Sequence, residues 1–266
     1  MEWNTYLAGL AVTLSLGVIG WLVTLPKQNV NLVDSLWSLF FLAAALTYAW
    51  TGGEAGPRTA LVLVLVTLWA VRLSVHLAWR NWGKPEDRRY QAIRANHSPG
   101  FAWKSLLIVF GLQAVLAWAI SLPLHAAIVS PAPLNPMDAV GLALMLSGLV
   151  LEAVADRQLD RFKADPANRD RVMDRGLWRY SRHPNYFGEA CVWWGFWLIA
   201  LTGGAWWSVL APLLVTFLLL KVSGVALLEK DIAERRPAYR DYIARTSAFI
   251  PWPPRRPDDG RTGEVA

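Results

Sequence analysis

Seven stretches of this chain, at 5–25, 33–50, 59–79, 103–121, 138–155, 187–203 and 206–228, are apolar for about the length that a hydrocarbon core requires. In lipid every backbone N–H and C=O has to be satisfied within its own segment, which leaves helices or a closed barrel; stretches this long are helices. The expected fold is therefore all-α, an integral membrane bundle of seven transmembrane helices. Composition agrees: 55% of the residues are apolar, sixteen are tryptophan and only 17% are charged, too greasy for a soluble domain of 266 residues.

The net charge of +6 could point to nucleic acid, but its placement explains it otherwise. Lysine and arginine concentrate in alternate connections: Lys27, then Arg80 to Lys104, then Arg157 to Arg182, then the segment after the last span. The opposite connections hold only Arg58. Positive charge stays inside, so the N-terminus is expected outside, the C-terminus in the cytoplasm, and no nucleic-acid partner is expected. MEWNTYLAG lacks a basic start and TLPKQNV lacks a small-residue cleavage site, so the first span reads as a retained anchor. Trp3, Trp50, Trp103, Trp118, Trp206 and Trp207 fall near span ends, as an interfacial belt does. One cysteine, Cys191, and four histidines without zinc spacing predict neither disulfide nor metal.

The polar residues inside the spans carry the functional question. Pro184 suits the first turn of a helix, where its missing N–H costs nothing, so the sixth span is expected to start at 181–184. Asn185 and Glu189 then share a face, with Gly188 beside them allowing close approach. Arg179, Arg182 and His183 flank the positive end of that helix. They read either as an anion site or as side chains snorkelling to lipid phosphates. A carboxylate one turn into an apolar span, Glu189, favours function. Asp156, Asp160 and Lys163 share a helical face at the end of span 5, which a merely solvated helix would also show. In span 3, Arg72 and His76 are four apart, with Arg72 too deep for easy snorkelling. Asp34, at the start of span 2, is either an interfacial helix cap or a functional acid.

GLWRYSRHPNYFGE at 176–189, with EKDIAERRPAYRDYIARTSAFIP after the last span, resembles the C-terminal signature of the steroid 5-alpha-reductase family and of its relatives the sterol C14 reductases and lamin B receptor. LVDSLW, RLSVHLAWR and PEDRRY are similar to the bacterial branch. The resemblance implies one seven-helix membrane reductase domain over 1–254 with a flexible tail at 255–266, monomeric, in a bacterial inner membrane. It implies NADPH bound in the cytoplasmic half and reduction of a carbon–carbon double bond conjugated to a ketone, as in a 3-oxo-4-ene steroid. The cofactor contacts it implies are Arg72, Asp156, Tyr180, Asn185, Glu189 and Tyr242, with the phosphates among Lys163, Arg171, Arg179 and His183; Asp34 and Glu189 are the catalytic candidates. The chain departs from the vertebrate pattern in lacking a Gln-Glu pair in span 2 and in having Trp69 where a tyrosine is expected. Isoprenylcysteine methyltransferases, which use S-adenosylmethionine, share the RHPxYxG core and are the alternative; a receptor-like or transport bundle is a third reading. No GxGxxG follows a strand pattern, so a Rossmann site is not expected.

Overall fold

Apolar length puts a helix in lipid but does not choose the face it turns to its neighbours, because lipid tails are as apolar as leucine; small and polar residues make that choice. Helix α1 (Trp3–Thr24) shows the rule. It is apolar on every side, yet it buries Thr5, Gly9, Thr13, Gly17, Gly20 and Thr24 and exposes Leu7, Val18, Ile19, Leu22 and Val23. A Cβ at Gly20 would run into Leu36, so the glycine is what lets the neighbouring helix come in close.

The computed structural model describes residues 2–53, 56–230 and 232–255, and among these there are helices and connections but no strand. The helices are α1, α2 (Leu32–Thr51), α3 (Pro57–Asn81), α4 (Arg88–Asn96), α5 (Phe101–Ile120), α6 (Leu122–Ile128), α7 (Pro136–Ala164), α8 (Pro184–Leu201), α9 (Trp206–Glu229) and α10 (Tyr239–Arg245), with a single turn at Ile232–Arg235. Two of them are irregular. α5 contains a π-helical turn at Leu106–Gly111; α9 contains one at Leu218–Val222 and then bends at Ser223–Gly224.

Among the described residues six helices, α1, α2, α3, α5, α7 and α9, are long and apolar enough to cross a membrane, where seven are expected from the sequence. The remaining stretch, 187–203, is realised as the 18-residue α8, whose first turns carry Asn185 and Glu189 and dilute its apolar character. The start expected for it is right: α8 begins at Pro184. α7 continues past its expected end to Ala164, which makes Asp156, Asp160 and Lys163 helical.

The chain divides into two compact units, 1–139 with 196–211 and 140–195 with 212–266. In the first, α1 packs on α2, α2 on α3, and α5 on α1 and α2. Phe40, Phe41, Ala44, Ala45 and Tyr48 of α2 meet a core that also holds Val62, Leu65, Val66 and Trp69 of α3, and Ser38 Oγ donates to the Ala70 carbonyl at 2.8 Å. Arg58, the lone cation of its loops, is fully buried: it bonds both oxygens of Asp138 (2.8 and 2.9 Å) and the carbonyls of Ala132 and Pro133. The second unit holds most of α7, α8 to Gly195, α9 from Pro212 and α10. Apart from Arg255, whose N–H donates to the Arg245 carbonyl at 2.9 Å, the expected tail at 255–266 lies outside the described residues.

Candidate functional site at the entrance of helix α8

Within the second unit, four glycines bring α7 and α8 into backbone contact. A Cβ on Gly148 would lie 2.5 Å from the Gly188 carbonyl oxygen, and one on Gly195 would lie 2.7 Å from that of Gly141. The pairs 141/195 and 148/188 run in opposite chain directions, so the helices are antiparallel with a glycine every second turn on each. The sequence reading valued Gly188 but not its partner, although the seven-residue spacing on both helices was there to be read.

This contact sets the polar residues of both helices beside one another. Asn185 Nδ2 donates to Asp156 Oδ1 (3.2 Å), and Asn185 Oδ1 accepts from the Tyr186 amide (3.1 Å). One turn further in, Trp193 Nε1 donates to Glu189 Oε1 at 3.1 Å. Glu152, one turn before Asp156 and only 2% exposed, lies where a Gly188 side chain would be. Glu152 lies near the end of the apolar stretch 138–155 and is not among the site residues expected from the sequence. Asn185 thus pairs with Asp156 across the two helices, and Glu152 packs against Gly188 one turn away.

The loop that leads into α8 is held by the C-terminal segment. Arg182 N–H donates to the Ser247 carbonyl (2.8 Å), Ser181 Oγ to Phe249 O (2.8 Å) and Trp252 N–H to Tyr180 O (2.9 Å). Tyr242 is 1% exposed, and its hydroxyl donates to the Trp178 carbonyl; burial, then the nearby Tyr239, raises its pKa. Arg182 bonds both oxygens of Glu229 (2.7 and 2.8 Å) and the carbonyls of Ile243 and Thr246. Burial opposes its charge, but the bonds to Glu229 outweigh it and hold the guanidinium above its ordinary range. His183 Nε2 lies 2.9 Å from Glu229 Oε1, and its ring stacks on Tyr186. Tyr239 is pushed up to about 12, first by burial and then by the charge of Glu229.

Several expectations change accordingly. His183 and Arg182 are not open to a phosphate, because Glu229, a residue the sequence reading passed over, engages both. Tyr242 is a brace for the loop, too deeply buried to line a cofactor. The amides of 182, 183, 186 and 187 at the α8 entrance have partners within the protein. Lys163, Arg171 and Arg179 are exposed, as is Tyr180, 42% accessible. Asn185 and Asp156 are brought together, and Glu189 follows Asn185 by four residues on α8 with Trp193 as its partner.

Arg72 and Asp34 belong to the first unit. Arg72 is half-buried on α3, four residues from His76. Asp34 is no helix cap: its Oδ1 accepts from Tyr90 Oη at 2.6 Å and its Oδ2 from Arg89 at 3.2 Å, and Gln113 of α5 donates to the same tyrosine oxygen at 3.3 Å. Among the described residues no cluster of His, Cys, Asp and Glu has the arrangement to hold a metal ion.

Six apolar helices with buried polar side chains define a multi-pass membrane protein in contact with lipid. Its sequence matches, over residues 20–246, the family described as protein of unknown function (DUF1295), and the chain belongs to that family. It is 26% identical over 279 residues to the uncharacterized protein C594.04c of Schizosaccharomyces pombe, an alignment covering 93% of this chain and 80% of the yeast protein. No solved structure matches it.

Proposed function

We propose that the second unit binds NADPH and that the protein reduces the carbon–carbon double bond of a lipophilic enone, a 3-oxo-4-ene steroid or a molecule like it. The observation that carries this reading is the group Asn185, Asp156 and Glu189 set around Gly188. A nicotinamide carboxamide offers an N–H₂ donor and a C=O acceptor. The amide of Asn185 and the two carboxylates complement both. Exposed Lys163, Arg171 and Arg179 supply cations for a pyrophosphate and a 2′-phosphate, and Tyr180 offers an accessible ring beside them. The residues present therefore fit the group. NADPH held there would supply the hydride for the β-carbon of the enone. Asn185 and Glu189 would fix the orientation of the ring, and the apolar turns of α8 beyond them would exclude water. The reading places the protein in a bacterial inner membrane, with the cationic connections in the cytoplasm.

In purified protein NADPH should raise the melting temperature more than S-adenosylmethionine does. Asn185→Ala and Glu189→Ala should each abolish that rise while leaving the unliganded melting temperature within a few degrees. Incubation with NADPH and a 3-oxo-4-ene steroid should give a product heavier by two hydrogens. Stabilisation by S-adenosylmethionine alone would favour a methyltransferase, and stabilisation by neither would remove the reading.

A further inference from the structure

A short helix of the first unit is fastened to its neighbour almost wholly by polar side chains. The segment at 84–99, which contains α4, is met by the α1–α2 connection at three places. Glu86 Oε1 accepts from the Val30 amide (3.0 Å), and Arg94, paired with both oxygens of Glu86 (2.8 Å each), also donates to the Gln28 carbonyl at 2.7 Å. The Asn31 side chain, 7% exposed, donates to the Pro85 carbonyl (3.1 Å) and accepts from the Asp87 amide (2.8 Å). Asp34 receives Tyr90 and Arg89. Tyr90 is the one buried residue of α4 itself.

A glycine stands at each end of the segment. Gly83 has φ +67° and Gly100 has φ +86°, left-handed values that side-chain-bearing residues rarely adopt, and nothing lies within 4 Å of where a Cβ would be at either position. Trp82 (85% exposed) and Trp103 (71% exposed) stand just outside these glycines, and exposed tryptophans at span ends mark the membrane interface. Beneath the segment lie Asp34 and Gln113, polar side chains carried by the apolar spans α2 and α5.

We propose that residues 84–99 form a lid at the membrane interface, hinged at Gly83 and Gly100, which moves as one body and controls access of water and of a ligand's polar end to Asp34. Hydrogen bonds and ion pairs are individually weak against water, so a body held this way opens more readily than the packed helices below it. The lid closes on Asp34 with Tyr90, and the contacts of Glu86, Arg94 and Asn31 keep Tyr90 there from a distance. This inference does not depend on the nature of the reaction.

The test is carbodiimide labelling of carboxylates in protein reconstituted in lipid, read by peptide mass spectrometry. Asp138, locked to Arg58, serves as internal reference. Arg94 does not touch Asp34, so Arg94→Gln should raise labelling of Asp34 only if the lid opens as a unit. The expected rise is about fivefold, the factor that losing a pair of this exposure corresponds to. Gly83→Ala with Gly100→Ala, which strains both hinges, should change Asp34 labelling without changing that of Asp138. Unaltered Asp34 labelling in Arg94→Gln, or an equal rise at Asp138, would overturn the lid.

Discussion

Arg58 is the place where the structure makes its sharpest energetic claim. Its guanidinium is inaccessible to solvent and Asp138 is 5% exposed at the side chain, with two charge-assisted bonds between them. Arg58→Ala leaves the carboxylate with only the Asn135 amide (2.8 Å) and the Thr202 hydroxyl (2.9 Å), and strands the carbonyls of Ala132 and Pro133. Breaking a buried pair from one side costs about 3–5 kcal/mol, and some of the stranded carbonyls will find water, so we expect about 4 kcal/mol. For a body of this size that corresponds to a fall in melting temperature of roughly 8–16 °C. Replacing both partners, Arg58→Met with Asp138→Leu, removes the unpaired charge but still orphans two carbonyls and an amide, while the Thr202 hydroxyl keeps the Ile199 carbonyl, so about 2 kcal/mol of the loss should remain. Thermal unfolding of the two single variants and the double variant in one detergent gives the cycle. An Arg58→Ala protein within about 1 kcal/mol of the parent, or a double variant as stable as the parent, would refute the claim that this pair is desolvated and fully bonded.

Three further outcomes follow from other contacts. Gly188→Val should separate α7 from α8 and cost at least about 3 kcal/mol, measured by denaturant titration, since even its Cβ would lie 2.7 Å from the Gly148 carbonyl oxygen; full retention of stability would deny the close approach. His125, 1% exposed, has its pKa pushed down to about 4, chiefly by burial. The fold therefore favours the neutral ring. Stability is complete above the unfolded pKa near 6.5 and is lost as pH falls from there through about 4, by up to roughly 3 kcal/mol. Its variant His125→Phe should lose less stability than the parent over that window when melting is followed against pH; equal slopes would refute the assignment. Tyr242→Phe removes the bond to the Trp178 carbonyl and should cost about 1–3 kcal/mol, with faster amide exchange at 176–182; unchanged exchange there would mean that the tyrosine does not brace the loop.

The helical class and most of the spans were legible because lipid imposes a length and forbids unpaired backbone, and both constraints show in a single sequence. The start of α8 was legible for the same kind of local reason, a proline whose missing N–H is harmless at a helix's first turn. The grouping of Asn185 with Glu189 followed from helical periodicity, and Asp156 joined them because α7 stays helical past its apolar stretch. What could not be read were pairings between distant segments. Nothing in RHP announces that its arginine and histidine share Glu229, 47 and 46 residues away, or that Tyr242 reaches the Trp178 carbonyl. Such contacts depend on where the C-terminal segment comes to rest, which no local pattern encodes.

The same distinction explains why charge was misjudged at particular sites. Arg58 counts in the sequence as the one cation of the sparsely charged connections, and Arg182 as part of an anion site or as a side chain reaching lipid phosphates. In the structure both are buried and neutralised by single carboxylates, Asp138 and Glu229. Removing Arg58 from the tally leaves its side with no uncompensated cation, which strengthens the charge asymmetry that oriented the chain. Arg182 and His183 are likewise taken up by Glu229, whereas Arg171, Arg179 and Lys163 are exposed. A cation at the end of a membrane helix is thus informative only once its carboxylate is known, and for Arg58 and Arg182 that carboxylate fastens the chain.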